Sequence, residues 1–324
     1  MASGKILYLS YADVASVGLG MEEIIRALEA MFREKGEGRV EMPPKPGIHT
    51  MPDAFIHAMP AYIPALKSAG MKWVSGYPAN QQRGLPYISG LLILNDAETG
   101  IPISVMDCVW ITAMRTGAAT ALSAKYLARP ESEILGVLAC GVQGRSNLEA
   151  LRVLFPLKKV FAYDIDPAVL STYAMEMRRR FDLEVVEVKK PRQAVSGCDI
   201  VVTSGPILKV PHATIKRGWL DEGAFASLVD FDSYWSSEAM READKFCTDY
   251  LPQLEHYRAQ GYFQGIPSVH ADLGELVAGR KPGRETSAER TMTANLGLAL
   301  DDMAIAPLIY RRAIEKSIGT WLPL

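Results

Sequence analysis

Apolar residues are spaced in one way in the first third of the chain and in another way beyond it. The segment KILYL at residues 5–9 has the apolar content of a strand, and apolar residues recur every three or four positions over Met21–Lys35, which predicts a helix. Turn residues separate four further apolar segments that predict strands: Ile56–Tyr62, Ala69–Ser75, Ile88–Leu94 and Ile101–Met106. Several strands in a row indicate an antiparallel sheet.

The pattern changes after Trp110. An Ala-rich helix is predicted over Thr112–Leu127, and a final helix over Leu296–Lys316, where Pro307 should kink or split it. Between them, strands and helices alternate, which is typical of a parallel sheet with crossover helices. These elements are Ile134–Ala139, Ser146–Leu154, Lys159–Asp164, Ala168–Arg180, Val185–Val188 and Ile200–Ser204.

A glycine-rich turn follows the first strand of this alternating region. Gly141 and Gly144 stand at the second and third glycine positions of a dinucleotide-binding fingerprint, and Ala139 stands at the first. Such a turn, in which Val142 and Gln143 stand between the two glycines, lets the backbone approach a pyrophosphate, and the N–H groups at the start of the next helix bind its oxygens.

An acidic residue strengthens this interpretation. Asp164 ends the next strand, 23 residues after Gly141, where a carboxylate can accept both ribose hydroxyls of NAD and repel a 2′-phosphate. The alternative is an ordinary strand–helix turn with a capping Asp. Ser204, at the end of a later strand, is expected to face the cofactor, unless that segment is a plain exit from the sheet.

Composition narrows the classes of protein. The 324 residues suffice for two domains, and a net charge of −2 argues against a nucleic-acid partner. No apolar run reaches the roughly 18–20 residues that a membrane span needs. The four cysteines are too widely spaced for a metal or redox pair, and the five histidines form no metal-binding motif. We expect reduced thiols, no bound metal and a cytoplasmic location.

A series of short motifs runs along almost the whole chain in a specific order. The motifs are Met59-Pro60, Gly70–Val74, Pro78-x-Asn80, Asn95–Pro102, Thr112–Ala119, Gly141–Gly144, Gly297–Asp302 and Gly319. The sequence thereby resembles the ornithine cyclodeaminase/mu-crystallin family, which includes archaeal-type alanine dehydrogenases and ketimine reductases.

The resemblance implies an α/β protein with two domains. Residues 1–118 and 300–324 would form a substrate and dimerisation domain completed by the last helix, and residues 119–299 a Rossmann domain that binds NAD(H). The implied reaction is hydride transfer at the α-carbon of a small L-amino acid or its imine, in a homodimer.

The resemblance also implies roles for individual residues. Lys72 and Arg115 would bind the substrate carboxylate, and Lys72 would also relay a proton. A surface position is the alternative for both, but Lys72 lies in an apolar strand, where an unpaired ammonium is costly. Thr116, Asn295 and Gly297 would contact the cofactor.

Three departures from the family pattern bear on the substrate. Lys45 stands where an Arg is usual, and His57 stands where ornithine-cyclising members have a Glu. The segment Leu228–Trp235 replaces a Gly-Gly-Asp-x-x-Gly-Lys stretch, so either Asp230 or Asp232 is expected to be the acid/base.

Two alternatives remain. The first is an ornithine cyclodeaminase, which converts L-ornithine to L-proline and ammonia without net redox change. The second is a mu-crystallin-like binding protein that keeps the nucleotide site without turnover. The cationic and acidic candidates are all present, which favours catalysis.

Overall fold

The computed structural model describes residues 4–324. They divide into two compact units, one formed by the chain up to Arg115 together with Leu298–Leu324, and the other by Thr116–Gly297. The strands and helices in chain order are β1 (Lys5–Leu9), α1 (Tyr11–Ser16), α2 (Met21–Gly36), β2 (Gly47–Ile48), β3 (Phe55–Ile63), β4 (Ser68–Gly76), β5 (Ile88–Asp96), β6 (Pro102–Asp107), α3 (Val109–Leu127), β7 (Ile134–Leu138), α4 (Val142–Leu154), β8 (Lys159–Tyr163), α5 (Pro167–Phe181), β9 (Glu184–Glu187), β10 (Ile200–Thr203), β11 (Phe225–Leu228), α6 (Ser237–Met240), β12 (Lys245–Thr248), α7 (Leu251–Ala259), β13 (Val269–Asp272), α8 (Leu273–Val277), β14 (Thr291–Ala294), α9 (Ala299–Glu315) and β15 (Thr320–Pro323).

The first unit is built on a sheet with the strand order β15-β1-β6-β5-β4-β3-β2. Its neighbouring strands are antiparallel, as the sequence predicts, except that β1 and β6 run parallel. Helix α9 packs against β3 and β4. Alternation along β4 buries Lys72 and Val74 on one face and exposes Trp73 on the other.

Pro307 does not split α9, which is continuous from Ala299 to Glu315. A proline lacks the N–H that would bond the carbonyl four residues earlier, here that of Met303. The hydroxyl of Ser68 donates to the Met303 oxygen at 2.7 Å. A side chain of β4 therefore satisfies the carbonyl that the proline leaves open.

The last two elements differ from the sequence prediction at their ends. Helix α9 begins at Ala299 rather than Leu296, because Gly297 has a φ of +75° and Asp301 accepts the N–H of Leu298 at 2.9 Å. Beyond the helix, Thr320–Pro323 forms β15, which pairs with β1. Its four residues are all exposed and show no apolar alternation, so the sequence did not predict a strand there.

The second unit contains a parallel sheet with the order β13-β12-β14-β11-β10-β7-β8-β9. Strands β7–β10 match the predicted segments closely. Helix α4 begins at Val142, four residues before the predicted start at Ser146. The prediction missed the first turn because Gln143, Gly144 and Arg145 give it no apolar spacing. Within residues 4–324, no helix is both long and apolar enough to cross a membrane.

Candidate active site

Lys72 lies on the buried face of β4 and forms an ion pair with Asp302 of α9. Its Nζ is 2.7 Å from Asp302 Oδ2 and donates to Oδ1 at 2.8 Å. A longer contact of 3.4 Å joins Nζ to the hydroxyl oxygen of Thr112. Both ionic side chains are 1% exposed or less. The cost of burying the ammonium, on which the sequence argument depended, is therefore offset by a carboxylate.

Arg115 adds a second cation to this pair. Its Nε lies 3.7 Å from Asp302 Oδ1, and one terminal nitrogen lies 3.6 Å from Asp301 Oδ2. Among residues 4–324, no atom accepts a hydrogen bond from the buried Nε. We call Lys72, Arg115, Asp301 and Asp302 the buried charge cluster. A guanidinium with an open buried donor is suited to a carboxylate ligand.

The surroundings shift the acid–base behaviour of Lys72. Burial lowers the pKa of its ammonium below the usual value, and Arg115 lowers it further, whereas Asp302 raises it. The nearby thiol of Cys108 stays neutral because burial raises its pKa to about 11. A lysine with a lowered pKa releases its proton more readily than an ordinary lysine, as a proton relay requires.

The other two substrate candidates lie in the same unit. His57 is buried in β3 opposite Val74 of β4, so its side chain shares the face of Lys72. Its ring stacks on Phe55 at 4.3 Å. Lys45 is half-buried just before β2, whose Gly47 pairs with His57.

The phosphate loop, Ala139–Gly144, joins β7 to α4 in the second unit. Gly141 is the N-cap of α4 and supplies no side-chain cap, and an added Cβ there would meet no atom within 4 Å. The first helical N–H groups thus have room for a phosphate beside them. At Gly144 a Cβ would lie 2.7 Å from the Ala139 oxygen, so this glycine permits the close helix–strand packing. These residues fit a dinucleotide.

Ala139 occupies the fingerprint's first glycine position with a left-handed φ of +73°, a conformation that normally favours glycine. Two hydrogen bonds hold it there. Its N–H donates to the Tyr163 oxygen at 2.9 Å, and its carbonyl accepts from the Ser204 hydroxyl at 2.9 Å. Ser204 therefore fixes the loop's backbone.

Asp164 stands at the end of β8, beside the phosphate loop. Its carboxylate accepts the N–H of Cys140 at 2.7 Å and that of Asp166 at 2.9 Å. Arg145 forms an ion pair with Glu176 at 2.7 Å and donates to the Cys140 and Gly141 carbonyls. Its guanidinium thus supports the loop through the two carbonyls of Cys140 and Gly141.

The remaining cofactor candidates belong to the same unit. Val142 is 61% exposed at the start of α4, Gln143 accepts from Ser146 at 3.2 Å, and Thr116 is buried in α3. The Asn295 amide donates to Ser123 at 3.0 Å, and the Gly297 N–H donates to Asp249 at 2.8 Å.

Asp230 and Asp232 follow β11 and differ in their partners. Both oxygens of Asp230 accept hydrogen bonds, from the Thr203 hydroxyl at 2.7 Å and the Gly205 N–H at 3.1 Å, and burial raises its pKa to about 7. Asp232 accepts the N–H of Phe263 at 3.1 Å through Oδ2, whereas its buried Oδ1 has no hydrogen-bond partner among residues 4–324. Burial raises the pKa of Asp232 as well.

The structure thus groups Lys72 and Arg115 in the first unit, and the phosphate loop, Asp164 and Ser204 in the second. Sequence reasoning missed Asp301 and Asp302 as site residues. The available signal was a pair of adjacent acids inside an otherwise apolar helix.

Comparison with known proteins identifies the family. Residues 7–317 match the ornithine cyclodeaminase/mu-crystallin family. The chain belongs to this family. It is 34% identical over 324 residues to the alanine dehydrogenase of Archaeoglobus fulgidus, and the match covers 98% of each chain. The predictions of family and fold class are confirmed.

Two solved structures of family members resemble the whole chain. One is Thermococcus litoralis Δ1-pyrroline-2-carboxylate reductase in complex with NADH and L-proline, with a TM-score of 0.89 and 33% identity over 97% of this chain and 99% of that one. The other is an archaeal alanine dehydrogenase dimer with bound NAD, with the same TM-score and identity over 99% of both chains. These relatives belong to the enzyme class that the sequence predicts.

Proposed function

We propose that this protein is an NAD(H)-dependent oxidoreductase that acts at the α-carbon of a small L-amino acid or its imine. The observation that carries the proposal is the buried charge cluster, in which Arg115 keeps a buried Nε without a hydrogen-bond partner among residues 4–324. Such a donor, beside the Lys72 ammonium, suits the carboxylate of an amino acid. The relatives named above act on substrates of this chemistry.

Separate groups of residues bind the substrate and the cofactor in this proposal. Lys72 and Arg115 bind the carboxylate and fix the α-carbon, and Lys45 adds positive charge. Gly141–Gly144 hold the pyrophosphate at the start of α4, and Asp164 accepts the ribose hydroxyls. Thr116, Ser204, Asn295 and Gly297 complete the cofactor site. NAD, when bound, accepts or returns the hydride of the α-carbon.

We assign the proton transfer at the substrate amine to Asp232 rather than Asp230. Each oxygen of Asp230 already accepts one hydrogen bond, from Thr203 and Gly205, which leaves one lone pair on each. Asp232 Oδ1 accepts no hydrogen bond within residues 4–324, so it has the greater capacity to accept one from an amine. Replacing Asp232 by Asn should therefore lower turnover more than the same change at Asp230.

An ornithine cyclodeaminase fits the site less well. A substrate with a terminal ammonium needs an acid where β3 instead carries His57, stacked on Phe55. We expect L-ornithine to be a poor substrate.

We also propose a homodimer. The face of the first sheet opposite Lys72 exposes Trp73 and Leu91, each 44% exposed and directly paired across β4 and β5. A second copy covering this apolar face would remove both from water. Light scattering at micromolar concentration tests this, and a monomeric mass contradicts it. A cytoplasmic location remains part of the proposal, in keeping with four unpaired cysteines.

A substrate panel tests the proposed reaction. Purified protein is mixed with NADH and either pyruvate with ammonia, a cyclic imine carboxylate or an α-keto acid alone, and with NAD and single L-amino acids, while NADH absorbance is followed. Turnover with an amino acid or imine is expected. Tight NADH binding without turnover on any member would favour the mu-crystallin-like alternative.

A further inference from the structure

We propose that Asp302 is a positioning residue for the reaction, which holds Lys72 charged and in place for the substrate carboxylate. The inference rests on the proposed function, in which Lys72 binds that carboxylate. Asp302 itself does not touch the substrate.

The geometry of the pair fixes the Lys72 ammonium. Two of its contacts go to the two oxygens of Asp302, at 2.7 and 2.8 Å, and the third goes to Thr112 at 3.4 Å. Of the two oxygens, Oδ1 accepts a hydrogen bond from Nζ, whereas Oδ2 is held by charge and accepts no hydrogen bond among residues 4–324. An ammonium has three donors, so the ion pair with Asp302 holds Nζ in place and leaves donors for a substrate oxygen. The hydrogen bond to Thr112 is the longer of the two that Nζ makes, so it is the one that a substrate oxygen can replace.

The same carboxylate also faces Arg115, whose Nε lies 3.7 Å from Asp302 Oδ1. Without Asp302, two buried cations would lie beside each other with Asp301 as the remaining acid of the cluster. A buried ion pair contributes little to stability compared with apolar packing of the same volume. Keeping two cations charged and side by side is instead useful where an anion has to bind.

The groups that face Lys72 come from several elements. Helix α9 contributes Asp302, and α3 contributes Arg115 and Thr112; Asp301, the neighbour of Asp302, contacts Arg115 instead. Cys108, just before α3, also lies close enough to affect Lys72. The strand neighbours directly opposite Lys72 are Met59 of β3 and Leu92 of β5, which are apolar. Asp302 is therefore the main group that favours the charged form of Lys72.

The experiment uses Asp302→Asn and a simple carboxylate probe, propionate, which has no other ionising group. Propionate is titrated into the NADH complex, and its Kd is read from NADH fluorescence between about pH 6 and pH 10. Loss of the Asp302 charge lowers the Lys72 pKa further, and only charged Lys72 binds the anion. The pH above which propionate no longer binds should therefore be lower in Asp302→Asn than in the wild type by at least about one unit, which is a tenfold difference in proton concentration.

Two further variants separate charge from position. Asp302→Glu keeps the charge on a longer side chain, so propionate should bind more weakly at every pH while the pH of its loss stays unchanged. Lys72→Arg should abolish the loss at high pH, because a guanidinium stays protonated there. The Kd of NADH alone is the control and should not change.

The outcomes distinguish the inference from the proposed function. Unchanged pH dependence in Asp302→Asn, or unchanged propionate affinity in Asp302→Glu, would overturn the role of Asp302 and leave the proposed function standing. Wild-type protein that binds NADH but no propionate at any pH would instead contradict the carboxylate site, and the role of Asp302 with it.

Discussion

The buried charge cluster of the first unit consists of side chains from three distant stretches of chain, whereas the phosphate loop of the second unit is one short stretch of backbone. Lys72 and Asp302 are separated by 230 positions, but Ala139–Gly144 are consecutive. The cluster depends on opposite charges that have lost their water. The loop depends on glycines, on one left-handed alanine and on the start of a helix.

This difference predicts how each region fails. A substitution in the cluster leaves a buried charge without its partner, so both activity and stability suffer. A substitution in the loop changes the space beside the backbone, so its effect depends on what lies there. Four predictions, from the largest expected effect to the smallest, test this contrast.

Replacing Lys72 by Ala should have the largest effect. We expect turnover to fall by about 10²–10⁴-fold, because the proton relay and a carboxylate ligand are both lost. The stability should fall by about 3–5 kcal/mol, because Asp302 stays buried without its cation. Turnover, NADH fluorescence titration and urea unfolding on one preparation measure all three, and NADH affinity should be unchanged.

Lys67→Ala is the matched control, because this lysine of the same unit is exposed and pairs with Glu98 at the surface. It should change neither turnover nor stability measurably. Normal turnover in folded Lys72→Ala would remove Lys72 from the mechanism.

Asp230 is buried in the second unit, and burial disfavours its charged form. Its contribution to the free energy of unfolding therefore depends on pH. Its pKa rises from 3.8 in the unfolded chain to about 7 in the folded protein. Its contribution is therefore complete below about pH 4 and is lost as the pH rises to about 7, by a total of about 4 kcal/mol. Urea unfolding at a series of pH values should show this decline in the wild type and a flatter profile in Asp230→Asn. An equal pH dependence of the free energy of unfolding in the wild type and in Asp230→Asn would contradict the raised pKa of Asp230.

Gly144→Ala and Gly141→Ala form a pair within the phosphate loop. A Cβ at Gly144 meets the Ala139 oxygen at 2.7 Å and Val137 at 3.2 Å, so we expect a loss of about 1–3 kcal/mol of stability. A Cβ at Gly141 meets no atom within 4 Å, so stability should hold while NADH binds at least about tenfold more weakly. Thermal unfolding and NADH titration compare the two. Similar losses of stability in both variants would contradict the space assigned to the phosphate.

Asp164→Asn should have the smallest effect. The amide oxygen can still accept the Cys140 N–H, but the negative charge that opposes a 2′-phosphate is gone. The preference for NADH over NADPH should drop by about tenfold, or about 1.4 kcal/mol. The ratio of Kd values for the two cofactors measures it. A tenfold preference of the wild-type protein for NADPH would show that Asp164 does not bind the ribose hydroxyls.

The sequence predicted the phosphate loop and Asp164 because their geometry is local: a strand, a tight turn and a helix follow one another along the chain. The partner of Lys72 was not predictable in the same way. A buried lysine indicates that some acid lies nearby, but 37 acidic residues are available, and only the packing of α9 on β4 selects Asp302.

The same distinction explains which elements were predicted. Strands β3–β5 are long and were identified by their apolar content. Strands β11, β12, β13 and β14 were not predicted. They have four residues each, as do β9 and β10, which were predicted, so length alone does not explain the difference. Phe231, Trp235 and Phe263 belong to one buried core cluster that also includes residues of β11, β12 and β14, so this region is stabilised by contacts between residues that are distant in the chain.

The pairing of β15 with β1, and the hydrogen bond from the Leu324 N–H to the Gly4 carbonyl, has a consequence for the order of events on the ribosome. Residues 116–297 have all been translated before α9 and β15 emerge, so the second unit can fold while synthesis continues. The first unit cannot be completed until then, so the edge of β1 that pairs with β15 and the face of β4 that packs against α9 stay exposed to solvent. We expect the Lys72 ammonium to stay hydrated during that interval and to become buried once Asp302 is available to pair with it.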